Sequence, residues 1–114
     1  MMHGQELMTA VTHGAAIIVL VFNNNMLGTI RMHQEREYPG RVSGTDLQNP
    51  DFVKLAEAYG AHGERVSATA EFLPAWQRAK ASGKPALIEL VYDPDAITPT
   101  TTLSAMRKKA GVAA

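Results

Sequence analysis

Three consecutive amides, Asn23, Asn24 and Asn25, run into Met26, Leu27 and Gly28 and are the residues whose type and spacing point most directly to chemistry. They close an apolar run, residues 15–22 (AAIIVLVF), a place where few sequences put polar groups without reason. Amide oxygens there, followed by a backbone bend at Gly28, can ligate a hard cation such as Mg²⁺ through oxygen. The same residues also make an ordinary polar turn after a strand, since Asn and Gly are common turn formers. Both readings stand at this level. His3, His13, His33 and His62 are the side chains suited to proton transfer near neutral pH. They are scattered, without ligand or triad spacing, and read as surface or helix-end histidines. Glu6, Arg31, Glu35 and Arg36 read as solvated or salt-bridged groups. With no cysteine there is no thiolate ligand and no cysteine nucleophile. No side chain is singled out as catalytic.

The elements that position the amides follow from periodicity. Residues 15–22, rich in β-branched side chains, read as a strand buried on both faces of a parallel sheet. In open α/β sheets ligands sit outside the carboxyl ends of the strands, where the amides fall. Residues 29–36 hold good helix formers with no breaker until Pro39, so a short helix points its positive end at whatever the amides hold. Upstream, Leu7, Met8 and Val11 give residues 5–13 one buried helical stripe, stopped by Gly14. Residues 38–49 lack a hydrophobic period and read as a long binding or lid loop. Asn49 reads as the cap of a helix with Pro50 first, its stripe Phe52, Val53, Leu55, Ala56 and Tyr59. Residues 62–66 form a weak strand candidate. Thr69 caps a helix through Phe72, Leu73, Trp76 and Ala79 to Gly83, with Pro74 one turn inside. Tyr59 and Trp76 are core anchors. Residues 85–92 form the second clear strand, and from about 96 a Thr-rich, then basic segment (Arg107, Lys108, Lys109) reads as a loose tail with one short helix. Strands alternating with helices imply a three-layer α/β/α fold with a parallel sheet and right-handed crossovers.

Composition narrows the classes. A chain of 114 residues is one domain or part of one. Eleven basic residues balance eleven acidic ones, so no long-range field favours nucleic acid or an anionic membrane. The longest apolar run, about eight residues, falls far short of the ~20 that span a bilayer. The first residues lack the pattern of a signal peptide. A cytoplasmic protein is the expectation, in keeping with the absence of cysteine.

Three segments together carry a family resemblance: Gly4-Gln5-Glu6-Leu7, the run from Val19 through Asn23, Asn24 and Asn25 to Gly28, and Asn49-Pro50-Asp51-Phe52. Lys84-Pro85-Ala86-Leu87-Ile88-Glu89 and Ile97-Thr98-Pro99 extend it to essentially the whole chain. The chain resembles the thiamine-diphosphate-dependent enzymes, and most closely the C-terminal diphosphate-binding domain of the acetolactate synthase-like group. The resemblance implies thiamine diphosphate and Mg²⁺ as cofactors and decarboxylation or carboligation of a small 2-oxo acid. It implies Asn24 as a metal ligand through its side-chain oxygen and Met26 through its carbonyl, with the backbone of Leu27, Gly28 and Thr29 against the phosphates. By the same likeness Met2 falls near the cofactor's pyrimidine, with core packing the equal alternative.

The departures are informative. The family motif opens with Gly-Asp-Gly, whose Asp is a further metal ligand, and the sequence contains no Gly-Asp-Gly. By family spacing it falls just before Met1, which reads as a truncation, a start at Met1 or Met2, or an expressed fragment. The domain whose Glu activates the cofactor from a partner subunit has no counterpart here, so the chain alone is expected to be inactive. The Trp that acetolactate synthases usually place near His33 is also missing. Without its family neighbour, the strand over residues 17–22 lies at an open edge and invites pairing, so a homo-oligomer is expected. A different class, a non-catalytic α/β interaction module that self-associates or complements a partner, stays open. A flavodoxin-like nucleotide binder ranks last, for want of a glycine-rich loop after the first strand.

Overall fold

Strand β3 (Ala86–Val91) organises the first of the two units of the chain. The computed structural model describes residues 3–111. Unit 1 comprises Met1–Asn23 and Asn49–Val91, and holds α1 (Glu6–Thr12), β1 (Ile18–Asn23), α3 (Phe52–Ala58), β2 (His62–Val66), α4 (Thr69–Ala81) and β3. The sheet order is β1-β3-β2, all parallel, with Ile18 opposite Ala86 and His62 opposite the same residue. Alternation along β3 divides the core. Leu87 packs with Leu7, Phe52, Ala56 and Ala61 beneath α1 and α3, while Ala86 and Ile88 pack with Val66, Ala75 and Ala79 beneath α4. Three layers result, as the periodicity requires. Tyr59 and Trp76 each border one of these clusters, as core anchors should. Gly63 is a glycine because α3 approaches β2 so closely that a Cβ would sit 2.8 Å from the Val53 carbonyl oxygen.

The strand buried on both faces is β3, and not the run at 15–22. Among the described residues β1 has one strand neighbour, and Ile17, Val19, Leu20 and Phe22 are exposed. Sequence pattern reports apolarity, but burial depends on which strand takes the middle, and the two crossovers place β3 there. Beside β1 an apolar hollow of about 320 Å³ is lined by Leu7, Ile17, Val19, Val21 and Leu55 among others. Two caps also differ from expectation. Asp51, not Asn49, caps α3: its Oδ1 accepts from the N–H groups of Val53 and Lys54, while the Asn49 amide donates to Asn23. Ala68 precedes α4, and the Glu71 carboxylate serves the Ser67 and Ala68 N–H groups in place of Thr69.

Unit 2 comprises Asn24–Gln48 and Tyr92–Ala114. It holds α2 (Gly28–Glu37), the short antiparallel pair β4 (Ala96–Thr98) and β5 (Thr101–Thr102), and α5 (Leu103–Lys109). Where a loose tail was expected from about 96, the segment is tied down. Thr102 caps α5, Leu103 is buried, and Arg107 reaches Glu35 on α2. No helix among the described residues is long and apolar enough to cross a membrane.

Candidate functional site

The amide cluster forms a tight turn at the start of unit 2. Asn24 is buried, and its Oδ1 accepts a 3.3 Å hydrogen bond from the Met26 N–H, closing a side-chain-to-backbone turn. Asn25 takes the left-handed conformation at φ 55°, the one non-glycine residue among those described to do so. A short antiparallel bridge then pairs Met26 with Asp46. Its bonds run from Leu27 N–H to the Thr45 carbonyl and from Leu47 N–H to the Asn25 carbonyl, both 2.8 Å. Since the bonds flank Met26, its own N–H and C=O turn away from the 45–47 segment. Helix α2 begins at once at Gly28. No side chain caps it and no acidic residue stands in its first turn. Its leading N–H groups have no intrahelical acceptor, so its positive end is suited to an anion such as a phosphate. Gly28 lies close under the amide: a Cβ there would sit 2.9 Å from the Asn24 Nδ2 and would push that side chain aside. Thr29 is exposed on the first turn.

These observations fit a metal–diphosphate pair. Asn24 offers a side-chain oxygen that accepts a long bond from the Met26 N–H, Met26 offers a main-chain carbonyl, and both are hard oxygens suited to Mg²⁺. Among the described residues no group of three or more His, Cys, Asp or Glu side chains could hold a metal. A cation here would rest on amide, carbonyl and phosphate oxygens. Asn24, Met26, Leu27, Gly28 and Thr29 are thus brought into one turn. Asn25 shares it but is exposed. Met2 lies outside the described residues.

Behind the turn, α2 carries a buried ionic hub. Glu35, 1 % exposed, accepts from Arg31 Nε at 2.9 Å, from Arg107 Nε at 3.0 Å and from the Gly40 N–H at 2.8 Å. The hydrogen bond from Arg107 is the largest cause that lowers the Glu35 pKa to about 2, overcoming the upward push of burial, with the Gly40 N–H and Arg31 adding to it. Arg31, also buried, donates onward from Nη1 to the Thr45 hydroxyl at 3.3 Å. Arg31 and Glu35 are therefore salt-bridged, as one of the two readings held, and not solvated. Arg36 is exposed and pairs with Glu37 and His33.

Unit 1 has its own polar network at the carboxyl ends of its strands. The buried Glu89 on β3 accepts from Asn23 Nδ2 at 2.6 Å and from Arg65 Nε at 2.7 Å. Arg65 also reaches Asp51. Asp51 has its pKa lowered, first by the Lys54 N–H it caps. Periodicity missed Glu89, although it is the one charged residue inside the apolar run 85–92. Thr45 was missed as well, being one polar residue in an aperiodic loop. His3, His13 and His33 are exposed and His62 pairs with Glu64, so no histidine joins another in a catalytic arrangement.

The family model described as "Thiamine pyrophosphate enzyme, C-terminal TPP binding domain" matches residues 1–90. The acetolactate synthase large subunit of Corynebacterium glutamicum is 40% identical over 101 residues, covering 83% of this chain and 16% of that protein. The probable acetolactate synthase large subunit of Methanocaldococcus jannaschii is 35% identical over 95 residues, covering 82% and 16%. Among solved structures, a thiamine diphosphate-dependent 4-hydroxybenzoylformate decarboxylase from Rhodococcus jostii superposes with a TM-score of 0.68 at 31% identity, over 76% of this chain and 16% of that one. The chain thus spans about a sixth of the length of these relatives.

Proposed function

We propose, from the premise that this chain belongs to the thiamine pyrophosphate enzymes through their C-terminal TPP binding domain, that it is the cofactor-docking part of a thiamine-diphosphate- and Mg²⁺-dependent 2-oxo acid decarboxylase or carboligase of the acetolactate synthase-like kind. The observation that carries this is the uncapped N-terminus of α2 beginning at Gly28, four residues after the buried amide oxygen of Asn24. Asn24 and the Met26 carbonyl would hold the cation, and the backbone of Leu27, Gly28 and Thr29 would hold the diphosphate against the positive helix end. When bound, thiamine diphosphate supplies the electron sink that lets a 2-oxo acid lose CO₂. The chain's residues contribute binding and orientation. No side chain here is assigned the proton transfers, and without a Gly-Asp-Gly carboxylate the ligand set is partial. Turnover by the 114-residue chain alone is not expected.

Calorimetry with thiamine diphosphate tests this. Binding at a dissociation constant of about 0.1–1 mM that requires Mg²⁺ and disappears in Asn24→Ala supports the reading. Binding indifferent to Mg²⁺, or unchanged in Asn24→Ala, overturns it.

A second reading has one observation in its favour. The open edge of β1, with Val19, Leu20 and Phe22 exposed, suits a module that self-associates or adds to a partner. Self-association in the cytoplasm is compatible with the cofactor role, and the two are separated by whether Asn24 matters.

A further inference from the structure

We infer that Thr45 is a positioning residue, whose buried hydroxyl holds the 45–47 segment against the 25–27 turn and thereby sets the direction of the Met26 carbonyl. The inference rests on the reading of Met26 as a metal ligand given above. Thr45 is 1 % exposed, and it is tied at both ends. Its carbonyl accepts from the Leu27 N–H at 2.8 Å, and its Oγ1 accepts from Arg31 Nη1 at 3.3 Å. Arg31 is fixed in turn by Glu35, which Arg107 and the Gly40 N–H hold in place. One side chain therefore joins the ionic hub of α2 to the bridge that flanks Met26.

The bridge has something to hold. Asn25 sits at φ 55°, a conformation that costs energy for any residue with a Cβ and persists where surrounding structure imposes it. Its carbonyl is gripped by the Leu47 N–H, two residues beyond Thr45. Elsewhere the 38–48 loop is attached to α2 through Gln34, whose Nε2 donates to the Ser43 carbonyl at 2.7 Å. Asp46 adds little, since its carboxylate is 84 % exposed and 4.0 Å from Arg31. Removing the Thr45 hydroxyl leaves a buried guanidinium donor without its acceptor and frees the 45–47 segment to shift. Groups that orient a metal ligand in this way affect affinity without touching the ion.

The test compares the 114-residue chain with Thr45→Val, which keeps the shape, and Thr45→Ser, which keeps the hydroxyl. Two readouts are used: amide hydrogen exchange at Leu27 and Leu47 without ligand, and the Mg²⁺ concentration needed for thiamine diphosphate binding. Thr45→Val is expected to speed exchange at those two amides and to raise the Mg²⁺ requirement, each about tenfold, with Thr45→Ser within about twofold of the parent chain. The inference is overturned by unchanged exchange at Leu27 and Leu47 in Thr45→Val, by Thr45→Ser behaving as Thr45→Val, or by a uniform loss of protection across α2, which marks a merely structural role. Should the parent chain show no Mg²⁺-linked binding, the proposed function fails, and the exchange readout decides the positioning role by itself.

Discussion

At the scale of single residues, the structure separates groups that keep the fold from groups available to a ligand. Gly28 belongs to the second kind. The atom a Cβ would crowd is the far end of the Asn24 side chain, which can swing aside at little cost. Gly28→Ala is therefore predicted to leave the unfolding midpoint nearly unchanged while weakening Mg²⁺-dependent thiamine diphosphate binding about tenfold, as for a displaced metal ligand. A large drop in the midpoint with intact binding would contradict this. Glu35 belongs to the first kind. Its pKa falls from an ordinary 4.5 to about 2 in the folded chain. A carboxylate depressed by folding stabilises the fold above its unfolded pKa, and this is lost as pH falls toward the folded value. The contribution is about 3 kcal/mol, present above about pH 4.5 and gone near pH 2. Chemical unfolding between pH 6 and 3 should show stability declining below 4.5, with a shallower decline in Glu35→Gln, where the other depressed carboxylates such as Asp51 and Glu64 still titrate. That variant is itself destabilised by about 3 kcal/mol, because the buried Arg31 and the half-buried Arg107 lose their partner. The sequence marked Arg31 and Glu35 only as solvated or salt-bridged groups, although their i, i+4 spacing suits the pair they form. Arg107, 72 residues from Glu35, was not legible as a partner, since no local pattern encodes a contact that only the folded chain makes.

At the scale of elements, strand and helix positions were legible to within a few residues, because period-2 and helical apolar stripes are local signals. Even the weak candidate at 62–66 is β2. Strand order was not legible. The apolarity of residues 15–22 looked like a central strand, yet β1 lies at an edge while β3, interrupted by Glu89, takes the middle. An apolar run shows that a segment seeks cover, and only non-local pairing decides how much cover it finds. The edge has consequences. β1 (IVLVFN) carries no charge and no proline, the usual guards of an exposed edge. Light scattering is predicted to show concentration-dependent association of the chain, and Leu20→Lys to reduce it by placing a charge on the open strand. A monodisperse monomer at high concentration for the parent chain would contradict the prediction.

At the scale of the whole molecule, the chain divides into two compact units. Unit 1 is a three-layer sheet structure whose apolar faces are closed by α1, α3 and α4. Unit 2 holds the Asn24–Thr29 turn, its bridge and the ionic hub behind it. The family is shown by similarity over residues 1–90. The chain covers about a sixth of its relatives, so the reaction of a complete enzyme is a proposal for it. The position of the turn was legible because three amides close an apolar strand just before a glycine, and its role as a cation site is the proposal to be tested. The support for it in Thr45 and Arg107 arises only on folding. The central claim is that a divalent cation bound with a diphosphate lies against Asn24 and Met26, and paramagnetic broadening by Mn²⁺ tests it most directly. With thiamine diphosphate present, Mn²⁺ should erase the NMR signals of the Asn24 side-chain amide and of the Met26, Leu27, Gly28 and Thr29 amides, and should spare them in Asn24→Ala. Broadening confined to exposed carboxylates such as Asp46 and Asp93, with the turn untouched, would contradict the account.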